Sequence, residues 1–200
     1  MNSIDYFEHY FRQMKEVIDA ISREDLDAIT RILFNAWQQN KNVFICGNGG
    51  SASTATHFTC DLSKTTIVEN KKRFKVYCLN DNVPLITALV NDEGFDNLFY
   101  EQLKSLFQKG DVLICLSVHG GAGKDKAAMW SQNLLKAMKY AKDAGGQTIG
   151  FSGFDGGPMK NIADACVVVP ANSTPQVESF HAALEHLICS CLRERIAESI

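Results

Sequence analysis

Neither sign of charge is in excess: 20 Lys+Arg stand against 23 Asp+Glu, a formal net charge of −3 over 200 residues. That balance argues against a general binder of nucleic acid or of an anionic membrane surface. No apolar run comes near the length a membrane-spanning helix needs, and Met1-Asn2-Ser3-Ile4-Asp5 begins no signal peptide, so a cytoplasmic protein is expected. Cys-x-x-Cys pairs are absent. The 7 cysteines are odd in number, and Cys46, Cys78, Cys115 and Cys166 fall in apolar, strand-like runs, which predicts buried reduced thiols rather than disulfides. There is no linker, repeat or low-complexity tract, so residues 1–200 read as one domain with a substantial core. Lys71-Lys72-Arg73 is the one basic cluster, and it is short enough for a solvated loop.

What the chain does have is glycine in telling places. An apolar run, Val43 to Cys46, stops at Gly47-Asn48-Gly49-Gly50, and the small residues Ser51-Ala52-Ser53-Thr54 then open a helical stretch. A strand feeding a helix through glycines can hold an anion. Without Cβ atoms the backbone comes close to the ligand, and the N–H groups of the helix start point at it.

Helical spacing marks residues 3–20, with Phe7, Phe11, Met14 and Ile18 on one face, and residues 24–39, with Leu26, Ile29, Leu33 and Trp37. Ser22 or Asp25 can cap the second helix. Strands are predicted over 42–46, 74–79, 111–116, 147–151 and 165–169. Helices are predicted over 51–63, 83–91, 96–108, 125–143, 156–162 and about 176–196. Strands separated by helices imply βαβ units and a parallel sheet covered on both faces. The expectation is an α/β fold: a three-layer α/β/α sandwich with a five-stranded parallel flavodoxin-like sheet over residues 41–200, preceded by a helical pair over residues 1–40.

Ligands of such sheets bind beyond the carboxyl ends of the strands. Those ends carry Gly47-Asn48-Gly49-Gly50-Ser51, Asn80-Asp81-Asn82, Ser117-Val118-His119-Gly120-Gly121-Ala122-Gly123-Lys124 and Ser152-Gly153-Phe154-Asp155-Gly156-Gly157. One anionic, hydroxylated ligand accounts for all four. His57 and Asp61 lie four residues apart and share a helix face. Glu178 and His186 lie eight apart on the last helix and also share one, whereas His181 is rotated from His186 by roughly 140°. Glu185 is nearby in sequence. Two imidazoles and two carboxylates on two helices suit either a divalent metal site or an acid–base pair.

Gly47-Asn48-Gly49-Gly50-Ser51-Ala52 followed by His57-Phe58 resembles the opening of the sugar isomerase (SIS) domain, and more narrowly that of the phosphoheptose isomerases. The resemblance continues through Leu85-Ile86-Thr87-Ala88, Asn91-Asp92-x-Gly94-Phe95-Asp96, Gly110-Asp111-Val112-Leu113-Ile114-x-x-Ser117, Gly153-x-Asp155-Gly156-Gly157 and Thr174-Pro175-x-Val177-x-x-x-His181, covering about residues 5–195.

This resemblance implies an aldose–ketose isomerase acting on a phosphorylated sugar, sedoheptulose 7-phosphate to D-glycero-D-manno-heptose 7-phosphate, through an enediol(ate). It implies Asp61 as base and His186 as acid. It places zinc, or another divalent metal, on His57, Asp61, Glu178 and His186, one per subunit. Substrate contacts fall on Asn48, Gly49, Gly50, Ser51, Asn91, Asp92, Ser117, Val118, His119, Lys124 and Glu178, and the assembly is a homotetramer. Three departures stand out. The family has Glu where Asp61 stands and Gln where Glu178 stands. Its serine-rich phosphate loop is here Ser117-Val118-His119-Gly120-Gly121-Ala122-Gly123-Lys124-Asp125-Lys126, in which His119, Lys124 or Lys126 can supply positive charge. The altered loop leaves room for a different sugar phosphate. A non-catalytic SIS adaptor that binds a partner protein is the other alternative, and the presence of His186 favours an enzyme over it.

Overall fold

A computed structural model describes residues 2–121 and 131–199. Two helices come first. α1 (Ser3–Ala20) starts at Asn2, whose side chain accepts from the Asp5 N–H, and α2 (Arg23–Gln38) starts at Ser22, whose hydroxyl accepts from the Asp25 N–H. Of the two caps offered for α2, Ser22 is the one used. Strands and helices then alternate: β1 (Asn42–Gly47), α3 (Gly50–Lys64), β2 (Lys75–Cys78), α4 (Val83–Glu93), a 3-10 turn Phe95–Asn97 leading into α5 (Leu98–Leu106), β3 (Val112–Leu116), α6 (Gln132–Asp143), β4 (Gln147–Gly153), α7 (Met159–Ile162), β5 (Ala165–Val169) and α8 (Thr174–Glu198).

All five strands run parallel, in the order β2-β1-β3-β4-β5. This is the flavodoxin-like order, with its reversal between β1 and β3, where Val43 pairs with Val112 and Gly47 with Leu116. Alternate residues of each strand enter two cores. Val43, Ile45, Ile114 and Phe151 pack with Phe58 of α3 and with Phe180, Leu184 and Ile188 of α8. Phe44, Cys46, Leu113 and Cys115 pack with Phe99 and Leu103 of α5 and Leu134 and Met138 of α6. Because β3 is buried on both faces, its sequence is continuously apolar instead of alternating. Each fully buried Leu, Ile or Phe contributes about 1.5–3 kcal/mol, so the sheet and its two covering layers hold the site rigidly.

Three details depart from the sequence pattern. The helix expected over 156–162 is only Met159–Ile162, because Gly156 (φ 89°) and Gly157 (φ 53°) turn through left-handed backbone before Pro158. The stretch 125–130 of the helix expected over 125–143 lies outside the described residues. The apolar face of α1 is largely uncovered: Phe7, Phe11 and Ile18 are at least half exposed, and only Val17 is buried. As expected, every cysteine is free. Cys46, Cys115, Cys166 and Cys189 are buried, and Cys78 is half-buried.

Candidate active site

The sheet's reversal opens the carboxyl ends of β1 and β3 side by side, the place where such sheets take ligands. At the end of β1 the chain turns sharply into α3. Gly49 takes φ 57°, ψ −125°, a conformation that side-chain-bearing residues avoid. Gly50 is needed for a different reason: a Cβ there would stand 2.2 Å from Oε1 of Glu178. The Glu178 carboxylate thus lies against the first residue of α3, at the positive end of that helix. Within the turn, the N–H groups of Ser51 and Ala52 donate to the carbonyls of Asn48 and Gly49 at 3.1 and 3.0 Å. On one flank, Asn80 pairs with both backbone groups of Gly47, at 3.1 and 2.9 Å. On the other, the side-chain amides of Asn48 and Asn133 exchange two hydrogen bonds, each 3.0 Å.

The other expected contacts fall as follows. Ser51 and Ser117 are buried, and the Ser117 hydroxyl accepts from the Gly121 N–H at 3.1 Å. The Val118 carbonyl accepts from the Gly153 N–H at 2.9 Å. The ring of His119 lies on that of Phe154, centroids 4.3 Å apart, and Phe154 holds a positive φ of 54° to meet it. Asn91 and Asp92 are exposed at the end of α4, joined to each other at 2.7 Å. Among the described residues, no hydrogen bond ties them to the turn after β1. Lys124 and Lys126 lie outside the described residues.

Four side chains converge where α3 packs against α8. His186 Nδ1 lies 2.7 Å from Asp61 Oδ2, His57 Nδ1 lies 3.1 Å from Glu185 Oε1, and the two imidazoles meet edge to face at 4.8 Å. One ligand atom from each of His57, Asp61, Glu185 and His186 lies within 4.8 Å of the others, so the group could hold a metal ion. Four ligands held tetrahedrally at about 2.0–2.2 Å from one ion lie about 3.3–3.6 Å apart, so a pair 4.8 Å apart would close by about 1.2–1.5 Å on binding. Both imidazoles are half exposed, whereas the Glu185 side chain is fully buried. Neither Glu185 oxygen has a hydrogen-bond partner, and burial, followed by the nearby Asp61 carboxylate, pushes its carboxyl up to about 8. The nearby His57 Nδ1 is not placed to hydrogen-bond it; a buried carboxylate so left is costly, and a cation would satisfy it.

Of the residues predicted to share this centre, His57, Asp61 and His186 do. Glu178 sits two turns before Glu185 on α8, about 10 Å along its axis, and faces the start of α3 instead. The family resemblance implies Glu178 as the ligand, whereas the structure brings Glu185 to this group. The sequence did carry a signal for it: Val177, Phe180, Leu184, Ile188 and Leu192 form the buried stripe of α8, and Glu185 interrupts that stripe with a charge. His181 lies on the same buried side, its Nε2 3.1 Å from the Ser152 carbonyl, and desolvation lowers its pKa to about 4.

The family model described as SIS domain matches residues 6–153. Phosphoheptose isomerase of Helicobacter pylori (strain P12) is 33% identical over 184 residues, covering 92% of this chain and 90% of that protein. Lincomycin biosynthesis protein LmbN of Streptomyces lincolnensis is 36% identical over 84% of this chain, which spans only 62% of that longer protein. The solved structure of a phosphoheptose isomerase from Francisella tularensis superposes with a TM-score of 0.84 at 25% identity, covering 97% of this chain and 100% of that one. The chain belongs to the SIS domain family, in its phosphoheptose isomerase branch of aldose–ketose isomerases.

Proposed function

We propose that this chain interconverts sedoheptulose 7-phosphate and D-glycero-D-manno-heptose 7-phosphate through an enediol(ate). The observation that carries the reading is the meeting of His57, Asp61, Glu185 and His186 on two packed helices, one of which opens from a glycine turn at the sheet's reversal. The phosphoheptose isomerase relatives supply the reaction class.

The reaction moves one proton between adjacent carbons. Asp61 is the base that lifts the proton from the hydroxyl-bearing carbon and returns it to the former carbonyl carbon. His186 is the acid that protonates the carbonyl oxygen and accepts the proton of the neighbouring hydroxyl. At 2.7 Å the two groups are close enough to pass a proton directly. The glycine turn, through Asn48, Gly49, Gly50 and Ser51, anchors the substrate together with Ser117, Val118 and His119, with Asn91 and Asp92 at its edge, so that the reacting carbons stay beside Asp61. The Glu178 carboxylate repels a phosphate and accepts from hydroxyls, so it suits the sugar chain between phosphate and carbonyl.

His57, Asp61, Glu185 and His186 would hold zinc or another divalent cation, one per subunit. That ion's contribution is to polarise the sugar's carbonyl and hydroxyl oxygens. The unpartnered Glu185 oxygens support the fit. Asp61 has a second oxygen and His186 a second nitrogen, so each keeps an atom for proton transfer when the other is engaged.

A homotetramer is part of this reading. α1 exposes Ile4, Phe7, Phe11 and Ile18, and α4 exposes Val83 and Leu85 with no residue buried. Second copies would cover that surface. Among the described residues no helix is long and apolar enough to cross a membrane, in keeping with a cytoplasmic enzyme.

The test is metal content of the purified protein together with turnover of sedoheptulose 7-phosphate, in wild type and in Asp61→Asn. Turnover that survives in folded Asp61→Asn would sink the base assignment. A second reading, another phosphorylated ketose, is favoured by the loop after Ser117, where Val118-His119-Gly120-Gly121 stands in place of a run of hydroxyl residues. Bound metal without turnover of this sugar would select it, and neither metal nor turnover would select the adaptor.

A further inference from the structure

We infer that Asn133, fully buried at the start of α6, is a positioning residue that sets which way the Asn48 carboxamide faces in the glycine turn. This rests on the reading that the turn binds the substrate. Among the described residues the side-chain hydrogen bonds of Asn133 go to Asn48 and Leu134 and none to Gly49, Gly50 or Ser51, so its effect on a ligand there passes through Asn48.

The chain of hydrogen bonds is unambiguous in direction. The Leu134 backbone N–H, which can only donate, reaches Asn133 Oδ1 at 2.9 Å. That fixes which end of the Asn133 amide is oxygen. The same oxygen accepts from Asn48 Nδ2 at 3.0 Å, and Asn133 Nδ2 donates to Asn48 Oδ1 at 3.0 Å. Turning the Asn48 amide over would set oxygen against oxygen and nitrogen against nitrogen inside the protein. The orientation of Asn48 is therefore locked to the backbone of α6, 85 residues away in sequence. The pairing uses one N–H and one lone pair of Asn48 and leaves one of each for a ligand.

The other flank of the turn is held independently. Asn80 pins the N–H and carbonyl of Gly47 from the end of β2, and the backbone of β1 stays in register with β3 up to Gly47. Loss of the Asn133 donor should therefore release the Asn48 side chain while leaving the turn's backbone in place.

Asn133→Asp is the discriminating variant. It is isosteric, it keeps an acceptor for the Leu134 N–H and for Asn48 Nδ2, and it removes the one donor to Asn48 Oδ1. The expected result is a rise in KM for sedoheptulose 7-phosphate of roughly three- to tenfold, the worth of about one hydrogen bond, with kcat and metal content little changed. In an Asn48→Ala background the same substitution should no longer raise KM, because the group it acts through is gone. A role in stability alone would give the same effect in both backgrounds, and equal effects overturn the inference. Should Asn133→Asp not fold, Asn133→Ala removes the same donor without a charge and is read in the same cycle. A folded wild type that neither binds nor turns over the sugar overturns the functional reading and this inference with it, an outcome distinct from an active wild type with additive variants.

Discussion

Acidification should destabilise this protein through His181, and the size of the effect can be worked out. His181 is buried on α8, its Nε2 held by the Ser152 carbonyl and its ring edge-on to Phe151, while its Nδ1 has no partner. Desolvation disfavours the imidazolium and lowers the pKa from 6.5 to about 4. The unfolded chain therefore binds a proton between about pH 6.5 and pH 4 that the folded chain refuses. Stability from this residue is complete above pH 6.5 and is lost as pH falls towards 4. A shift of about 2.5 units is worth about 3.4 kcal/mol in the limit, of which about 2 kcal/mol has gone by pH 5. With a urea slope of about 2 kcal/mol/M, that moves the midpoint by about 1 M between pH 7 and pH 5. Glu185, raised to about 8, works in the opposite direction: its protonation in the folded state adds stability as pH falls. The informative quantity is therefore the difference between wild type and His181→Gln, measured at fixed protein concentration with a chelator present. The wild-type midpoint should fall by about 1 M more than the variant's. Parallel losses in the two proteins would refute the account of His181.

Asp61→Asn should lower turnover by at least a hundredfold with the melting temperature unchanged, as expected for loss of a proton-transfer group. Glu185→Gln should weaken zinc binding by at least tenfold in competition with a chromophoric chelator and should not destabilise the metal-free chain, because it removes a buried unpaired carboxyl. Glu178→Gln should leave zinc affinity within about threefold; the opposite ranking would show that Glu178 moves into the centre. Phe11→Asp, on the exposed face of α1, should reduce the mass found by light scattering after gel filtration. An unchanged mass would place the contact between copies elsewhere.

The sheet was legible because each strand is a short apolar run between turns. Val112 to Leu116 reads as a strand buried on both faces and is one, and β1 is predicted one residue short only because Gly47 still pairs with Leu116. The carboxyl-end loops were legible for the same reason, since topology alone decides which ends face the ligand. Tertiary packing decided the rest. Periodicity marks the apolar face of α1 but cannot say whether this chain or another covers it, and here Phe7 and Phe11 are left bare. Residues 156–162 carry enough apolar character for a helix, yet Gly156 and Gly157 spend the first turn in left-handed backbone. Asn133 gave no sign at all in sequence: its partner lies 85 positions away, and only the fold brings the turn after β1 to the start of α6.

Glu185 shows most clearly why the centre lies where it does. Helical spacing identified a face on each helix but not the depth of each residue on it. His186 is half exposed and the largely buried Asp61 carboxylate pairs with it at 2.7 Å, so each has a partner. Glu185 lies one residue earlier on α8, turned by about 100° into the core beside Leu184 and Ile188, where neither of its oxygens is hydrogen-bonded. A carboxyl in such a place costs stability in the empty protein, and only His57, standing 3.1 Å away from the exposed side, offers any relief. The cost would be recovered if a cation joined the buried carboxylate to the two exposed imidazoles and to Asp61, as proposed above. The same residue would then weaken the bare fold and strengthen the loaded one, so a divalent cation should raise the melting temperature of wild type by more than that of Glu185→Gln. Equal shifts would mean that Glu185 takes no part in binding the ion and that its burial has some other cause.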